Sequence, residues 1–160
     1  MAVRLVLDET PEAVLIYRRG TPADEFDDVV RRTLAWPGFM VASDGLYHGT
    51  LPHPRGFGCF ARVLGEFVRR RGFLDVGSAI HKLSGFAAER YGLADRGRIE
   101  SGRAADLVVF DPATVDGPAS WDEPRLPPVG IDAVVLNGTL VVSGGSATGE
   151  LAGRVLRRGR

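Results

Sequence analysis

Phe39-Met40-Val41-Ala42-Ser43-Asp44-Gly45, read on through His53-Pro54-Arg55 to Gly58, is the stretch on which the reading of this 160-residue chain turns. A short apolar run ends in a carboxylate followed by glycine. A buried parallel strand has that form where it delivers an acid to the C-terminal rim of an α/β sheet. Upstream, residues 13–17 (Ala-Val-Leu-Ile-Tyr) make a second continuous apolar run, bounded by Pro11 and Gly20, as expected of a strand buried on both faces. Between the two runs, Thr21-Pro22-Ala23-Asp24 reads as an N-cap, a first-turn proline and an early acid. Phe26, Val29, Val30 and Leu34 then keep the spacing of one buried helical stripe, which Pro37-Gly38 stops. Strand 13–17, helix 22–35 and strand 39–42 form one βαβ unit. Its right-handed crossover makes the strands adjacent and parallel and sets Asp44 at the C-terminal mouth of the second. The first residues, 1–7, fit a strand or a helix end equally well.

Beyond Asp44 the chain is free of helical period up to Gly58, with glycines at 45, 49, 56 and 58 and prolines at 52 and 54. Loops of this length with no secondary structure of their own are usually functional or disordered, and the side chains on this one favour function. This one carries Tyr47, His48, His53 and Arg55. After it, Phe60, Val63, Leu64, Phe67 and Val68 resume a helical stripe that ends at Gly72. Asp75 is placed to cap a further helix holding Ile80 and Leu83, and a short helix from Phe86 to Tyr91 closes on Gly92. His81 lies in this region as a surface or packing residue. From Gly97 the pattern turns to strands: residues 98–100, residues 106–110, and a hairpin in which 133–136 and 139–142 flank Asn137-Gly138. That dipeptide is the strongest local signal for a type I′ turn. A Pro/Gly-rich connection, 112–130, separates strand 106–110 from the hairpin.

Composition narrows the classes. Twenty basic and twenty acidic residues cancel, so neither a nucleic-acid nor a membrane partner is expected. No apolar run approaches the length of a membrane-crossing helix, and a cytoplasmic location is expected. The single cysteine, Cys59, allows no internal disulfide and no cysteine-based zinc cluster, and reads as a packing residue.

Val41-Ala42-Ser43-Asp44-Gly45, His53-Pro54-Arg55, Gly58, Phe60-Ala61-Arg62-Val63-Leu64-Gly65 and Val68-Arg69 resemble the C-terminal part of the N-acyl-D-amino-acid deacylases (D-aminoacylases) of the amidohydrolase superfamily. So do Gly92-Leu93, Arg96-Gly97-Arg98-Ile99, Gly102 and Ala105-Asp106-Leu107-Val108-Val109-Phe110-Asp111, and the hairpin matches the superfamily's closing β segment. Cys59 stands where threonine is common in the family and Phe86 where proline is usual.

The resemblance implies an α/β fold: the last βα units of a metal-dependent (β/α)8 barrel over residues 1–92, then a small antiparallel β-sandwich segment over 93–160. It implies hydrolysis of a linear amide, with Asp44 as general base toward a metal-activated water and then as acid toward the leaving amine. Arg55 is expected to pair with the carboxylate of an N-acyl-D-amino acid, for which its rigid fork is suited. Ser43, Gly45 and His53 support the loop. The complete family enzyme uses zinc, but the family's metal ligands belong to earlier barrel strands that nothing in this chain resembles. A catalytic zinc takes three protein ligands and an open position. The chain alone is therefore expected to be incomplete, inactive and without tightly bound metal, and a partner chain carrying the earlier strands would complete it. The alternative is a noncatalytic module that binds a partner through exposed sheet edges.

Overall fold

The computed structural model describes residues 22–47, 49 and 52–157. The expected strand 13–17, the undecided segment 1–7 and His48 lie outside them. Helix α1 (Ala23–Ala35) follows Pro22, whose carbonyl accepts the Phe26 N–H at 2.9 Å. Asp24 and Glu25 in its first turn and Arg32 in its last match the helix dipole. The Trp36 N–H donates to the Arg32 and Thr33 carbonyls, and Phe39 N–H to Trp36, which closes the helix at Pro37-Gly38. Of the expected stripe, Leu34 is buried and Val30 half-buried, whereas Phe26 and Val29 are exposed. A boundary between compact units falls inside α1, and residues 32–160 form the second unit.

Residues 39–47 are irregular and bond to no described strand, a correction to the strand expected at 39–42. A strand exists only by pairing, and the neighbour expected here, 13–17, is not among the described residues. The segment is held from another side. Lys82, itself buried, donates from Nζ to the carbonyls of Trp36 (2.8 Å) and Phe39 (3.4 Å).

Helix α2 (Arg55–Arg62) begins before the expected end of the rim loop, and the residual irregularity is a kink at Gly58 (φ −166°, ψ 15°). It continues as a π-helical stretch, Val63–Arg70, that buries Val63 and Leu64. Asp75 caps α3 (Val76–Ile80) as expected: its Oδ1 accepts the Ser78 N–H at 2.9 Å and its Oδ2 the Ser78 hydroxyl at 2.6 Å. A second π-helical stretch, His81–Gly85, leads into α4 (Phe86–Tyr91), closed by left-handed Gly92.

Four antiparallel strands follow in sequential order: β1 (Leu107–Phe110), β2 (Ile131–Leu136), β3 (Thr139–Ser143) and β4 (Ser146–Ala147). They form one sheet, and no second sandwich layer is present among the described residues. Residues 98–100, expected as a strand, are irregular and pair with no described strand, with Ile99 88% exposed and a tight turn following at Glu100. Bonds across the turn take the place of a ladder there: Arg103 Nε donates to Glu100 at 2.7 Å and Ala104 N–H to the Asp95 carbonyl at 3.0 Å. Ala61, Leu64, Ala79 and Val115 form the buried core, with Val68, Leu83, Phe110 and Ile131 packed on it, so the core lies between the kinked α2 unit, α3 and the β1–β2 pair.

The hairpin turn is type I′, with Asn137 at φ 48° and Gly138 at φ 83°. A Cβ at Gly138 would meet no atom within 4 Å, so Gly138→Ala is opposed by backbone conformation alone. The expected loss is about 1 kcal/mol, measured as a lower urea midpoint at constant m. An unchanged midpoint would refute the left-handed turn.

Candidate active site

The rim loop brings Asp44, His53 and Arg55 together. Asp44 has a positive φ of 44°, which an aspartate adopts more readily than most residues but still at a cost. Gly45 packs against the Gly56 backbone, and its N–H donates to Ser43 Oγ at 3.4 Å. The turn at Asp44 leaves its side chain 82% exposed, with Oδ2 2.9 Å from an Arg55 terminal nitrogen. Arg55 Nε also donates to the Asp44 carbonyl at 2.8 Å. One guanidinium thus holds both the backbone and the carboxylate of the same residue.

Pro54 stands at the N-cap of α2 and makes no side-chain cap bond. His53 serves the helix start instead: its Nδ1 accepts the Arg55 N–H at 3.1 Å. That bond requires an unprotonated Nδ1. Burial, together with the nearby Arg55 charge, holds the His53 pKa below its ordinary value against the opposing pull of Asp44, so the ring is neutral at pH 7. Tyr47 donates its hydroxyl to the Gly56 carbonyl at 3.1 Å and meets Phe57 edge-on, with centroids 5.4 Å apart. Burial pushes the Cys59 thiol pKa up, which keeps it a packing group rather than a thiolate nucleophile.

Three contributors escaped the sequence reading. Buried Lys82 anchors the segment that leads to Asp44, as described above. Trp121 and Arg125 reach the loop from the 112–130 connection, the indole at 4.6 Å from the His53 ring and the guanidinium at 2.8 Å from the Gly49 carbonyl. A tryptophan and an arginine inside a long Pro/Gly-rich segment were the available signal.

Among the described residues, no three His, Cys, Asp or Glu side chains are grouped to hold a metal ion. His53 Nδ1 is occupied by the Arg55 N–H and the Asp44 carboxylate by the Arg55 guanidinium. These residues by themselves do not fit the metal that the resemblance implies. What they offer is an exposed carboxylate for proton transfer and a guanidinium for binding an anion.

Residues 32–142 match the amidohydrolase family. The chain belongs to that family. A D-aminoacylase from Alcaligenes xylosoxydans xylosoxydans is 46% identical over 129 residues, which cover 81% of this chain and 27% of the relative. A crystal structure of D-aminoacylase superposes with a TM-score of 0.79 at 45% identity, over 82% of this chain and 28% of that one. The N-acyl-D-glutamate deacylase of Bordetella bronchiseptica, solved with zinc and a phosphonate mimic of the reaction's tetrahedral intermediate, superposes with a TM-score of 0.70 at 44% identity, over 72% and 24%. This amidohydrolase chain thus spans about a quarter of the length of these relatives. No described helix is long and apolar enough to cross a membrane.

Proposed function

We propose that this chain supplies the C-terminal part of a deacylase acting on N-acyl-D-amino acids: the last βα units of a barrel, carrying Asp44 and Arg55, and a closing β segment. The observation that carries this reading is the pairing of an exposed, left-handed Asp44 with Arg55 on one short loop, in a chain whose relatives act on that substrate class.

In this mechanism Arg55 receives the substrate carboxylate. An ion pair as exposed as Asp44–Arg55 is worth at most about 1 kcal/mol, so an incoming carboxylate displaces Asp44 from the guanidinium at little cost. The exchange frees the Asp44 carboxylate. It then takes a proton from the water that attacks the amide carbon and returns it to the leaving nitrogen as the carbon–nitrogen bond breaks. His53, neutral at this pH, keeps Arg55 at the helix start and takes no proton.

The described residues do not hold a metal, so the reading requires a second chain or further sequence with the earlier barrel strands and the zinc ligands. The test is complementation. Adding such a chain and zinc should restore hydrolysis of N-acyl-D-amino acids. In the assembled enzyme Arg55→Ala should raise KM about tenfold or more, the scale of one charge-assisted bond of 1.5–3 kcal/mol, with a smaller effect on kcat. Stable assembly with no turnover of any N-acyl-amino acid would remove the deacylase reading and favour a noncatalytic module. An unchanged KM would remove the role of Arg55.

A further inference from the structure

The 112–130 connection, which the proposed chemistry does not use, is closed at its base and at its tip. Its base is closed by paired backbone bonds between Asp116 and Val129 at 2.9 and 3.1 Å. Asp116 is tied in turn to Arg69 and Arg70 on the π-helical stretch. The Arg70 hydrogen bond, helped by the Gly117 N–H and the charges of Arg70 and Arg69, outweighs burial and holds its carboxyl below the usual range, so the anchor is ionised at neutral pH. At the far end, Ser120 and Glu123 close a tight turn: Ser120 N–H donates to the Glu123 carbonyl at 3.2 Å and Glu123 N–H to Ser120 Oγ at 3.0 Å. Ala119 and Pro124 beside this turn are buried, so the loop is packed rather than loose.

From this platform two side chains grip the rim loop at separate places. Trp121 meets the His53 ring edge-on at 4.6 Å. Arg125 donates to the Gly49 carbonyl at 2.8 Å and lies over the Phe57 ring at 5.5 Å. Between the two loops the backbones of Gly117 and Gly58 touch, and a Cβ at Gly117 would overlap the Gly58 carbonyl oxygen. Contact this close admits only glycine. The chain of contacts runs from Trp121 to the His53 ring, from His53 Nδ1 to the Arg55 N–H, and from the Arg55 guanidinium to Asp44.

We infer that the 117–128 loop is a clamp on the rim loop and that Trp121 is a positioning residue for Arg55, acting through His53. The consequence for catalysis rests on the deacylase reading; the clamp itself does not. Trp121 is 41% exposed at a loop tip, so its replacement leaves the core untouched.

The test uses the 160-residue chain and reads amide exchange at Arg55 and the titration of the His53 imidazole by NMR. Exchange in the β2–β3 hairpin serves as the internal check of folding. Trp121→Ala should speed Arg55 amide exchange about tenfold and raise the His53 pKa toward its ordinary value, because the indole no longer shields the ring, leaving the Arg55 and Asp44 charges to set it. Trp121→Phe, which keeps an aromatic face, should restore both. Arg125→Ala should also speed Arg55 exchange, and it decides the matter if Trp121→Ala loses hairpin protection. Arg55 exchange within twofold of the parent in a folded Trp121→Ala or Arg125→Ala chain overturns the clamp. In an assembled enzyme Trp121→Ala should raise KM with kcat held within about twofold. An inactive assembled parent would count against the deacylase reading alone, since the exchange measurements decide the clamp.

Discussion

Asp44→Asn should lower kcat of an assembled deacylase by about 10² or more, the scale on which a general base contributes. The substitution isolates that role because asparagine has nearly the same shape and, like aspartate, is tolerated at positive φ, so the backbone at φ 44° is retained. The Arg55 bond to the residue 44 carbonyl, at 2.8 Å, is also independent of the side chain. What is lost is the proton acceptor. Substrate binding should be little affected or slightly improved, since the carboxylate that competes for Arg55 is gone. The measurement is kcat and KM for an N-acyl-D-amino acid, with the Arg55 amide signal as a check on loop geometry. Full activity would remove the catalytic assignment of Asp44.

The largest expected effect on stability is at Arg96. Its side chain is 7% exposed, and it ties together Asp106, 10 positions away, and Asn137, 41 positions away. One terminal nitrogen pairs with the Asp106 carboxylate, and the other donates to Asn137 Oδ1 at 2.7 Å. Asp106 in turn accepts the Asn137 N–H at 2.7 Å, and Asn137 Nδ2 donates to the Ala152 carbonyl at 2.6 Å. Arg96→Met keeps much of the volume but strands the Asp106 carboxylate. Removing one partner of a fully buried pair costs about 3–5 kcal/mol. The Asp106 side chain is 29% exposed, which reduces the expected loss to about 2–3 kcal/mol. For a chain of this size that lowers Tm by roughly 5–10 °C.

The effect has a pH signature. Burial alone would raise the Asp106 pKa, but the bonds from the Asn137 N–H and Arg96 bring it below the ordinary value. A carboxyl with a depressed folded pKa contributes stability that is present above the unfolded value of about 4 and is lost as pH falls through the folded value. The gap between the parent and Arg96→Met should therefore be full at pH 7 and shrink below about pH 4. A gap of the same size at pH 7 and pH 3 would show that Arg96 acts by packing alone.

Local chemistry determined much of this protein from the sequence by itself. The Asn137-Gly138 turn, the Asp75 cap, the Gly92 helix stop and the start of α1 after Pro22 are each decided within a few residues, so they could be read before any contact was known. The motif series around Asp44, Arg55 and residues 105–111 carried the family, which the match over residues 32–142 then showed. Pairing and approach were decided only by the tertiary structure. Residues 98–100 have a strand-like look but no ladder partner, and the turn bonds of Glu100 and Arg103 claim them. The early start of α2 depends on a histidine outside the helix accepting the Arg55 N–H. Lys82 and Arg96 are cations, a class ordinarily found at the surface, yet they are buried because the Trp36 and Phe39 carbonyls meet the first and the Asp106 carboxylate and Asn137 amide the second. Trp121 and Arg125 reach the rim loop only because Gly58 and Gly117 let two backbones touch across 59 positions of sequence. Contacts of that separation leave no periodic trace in the chain, since they depend on where the core carries each loop rather than on the residues beside it.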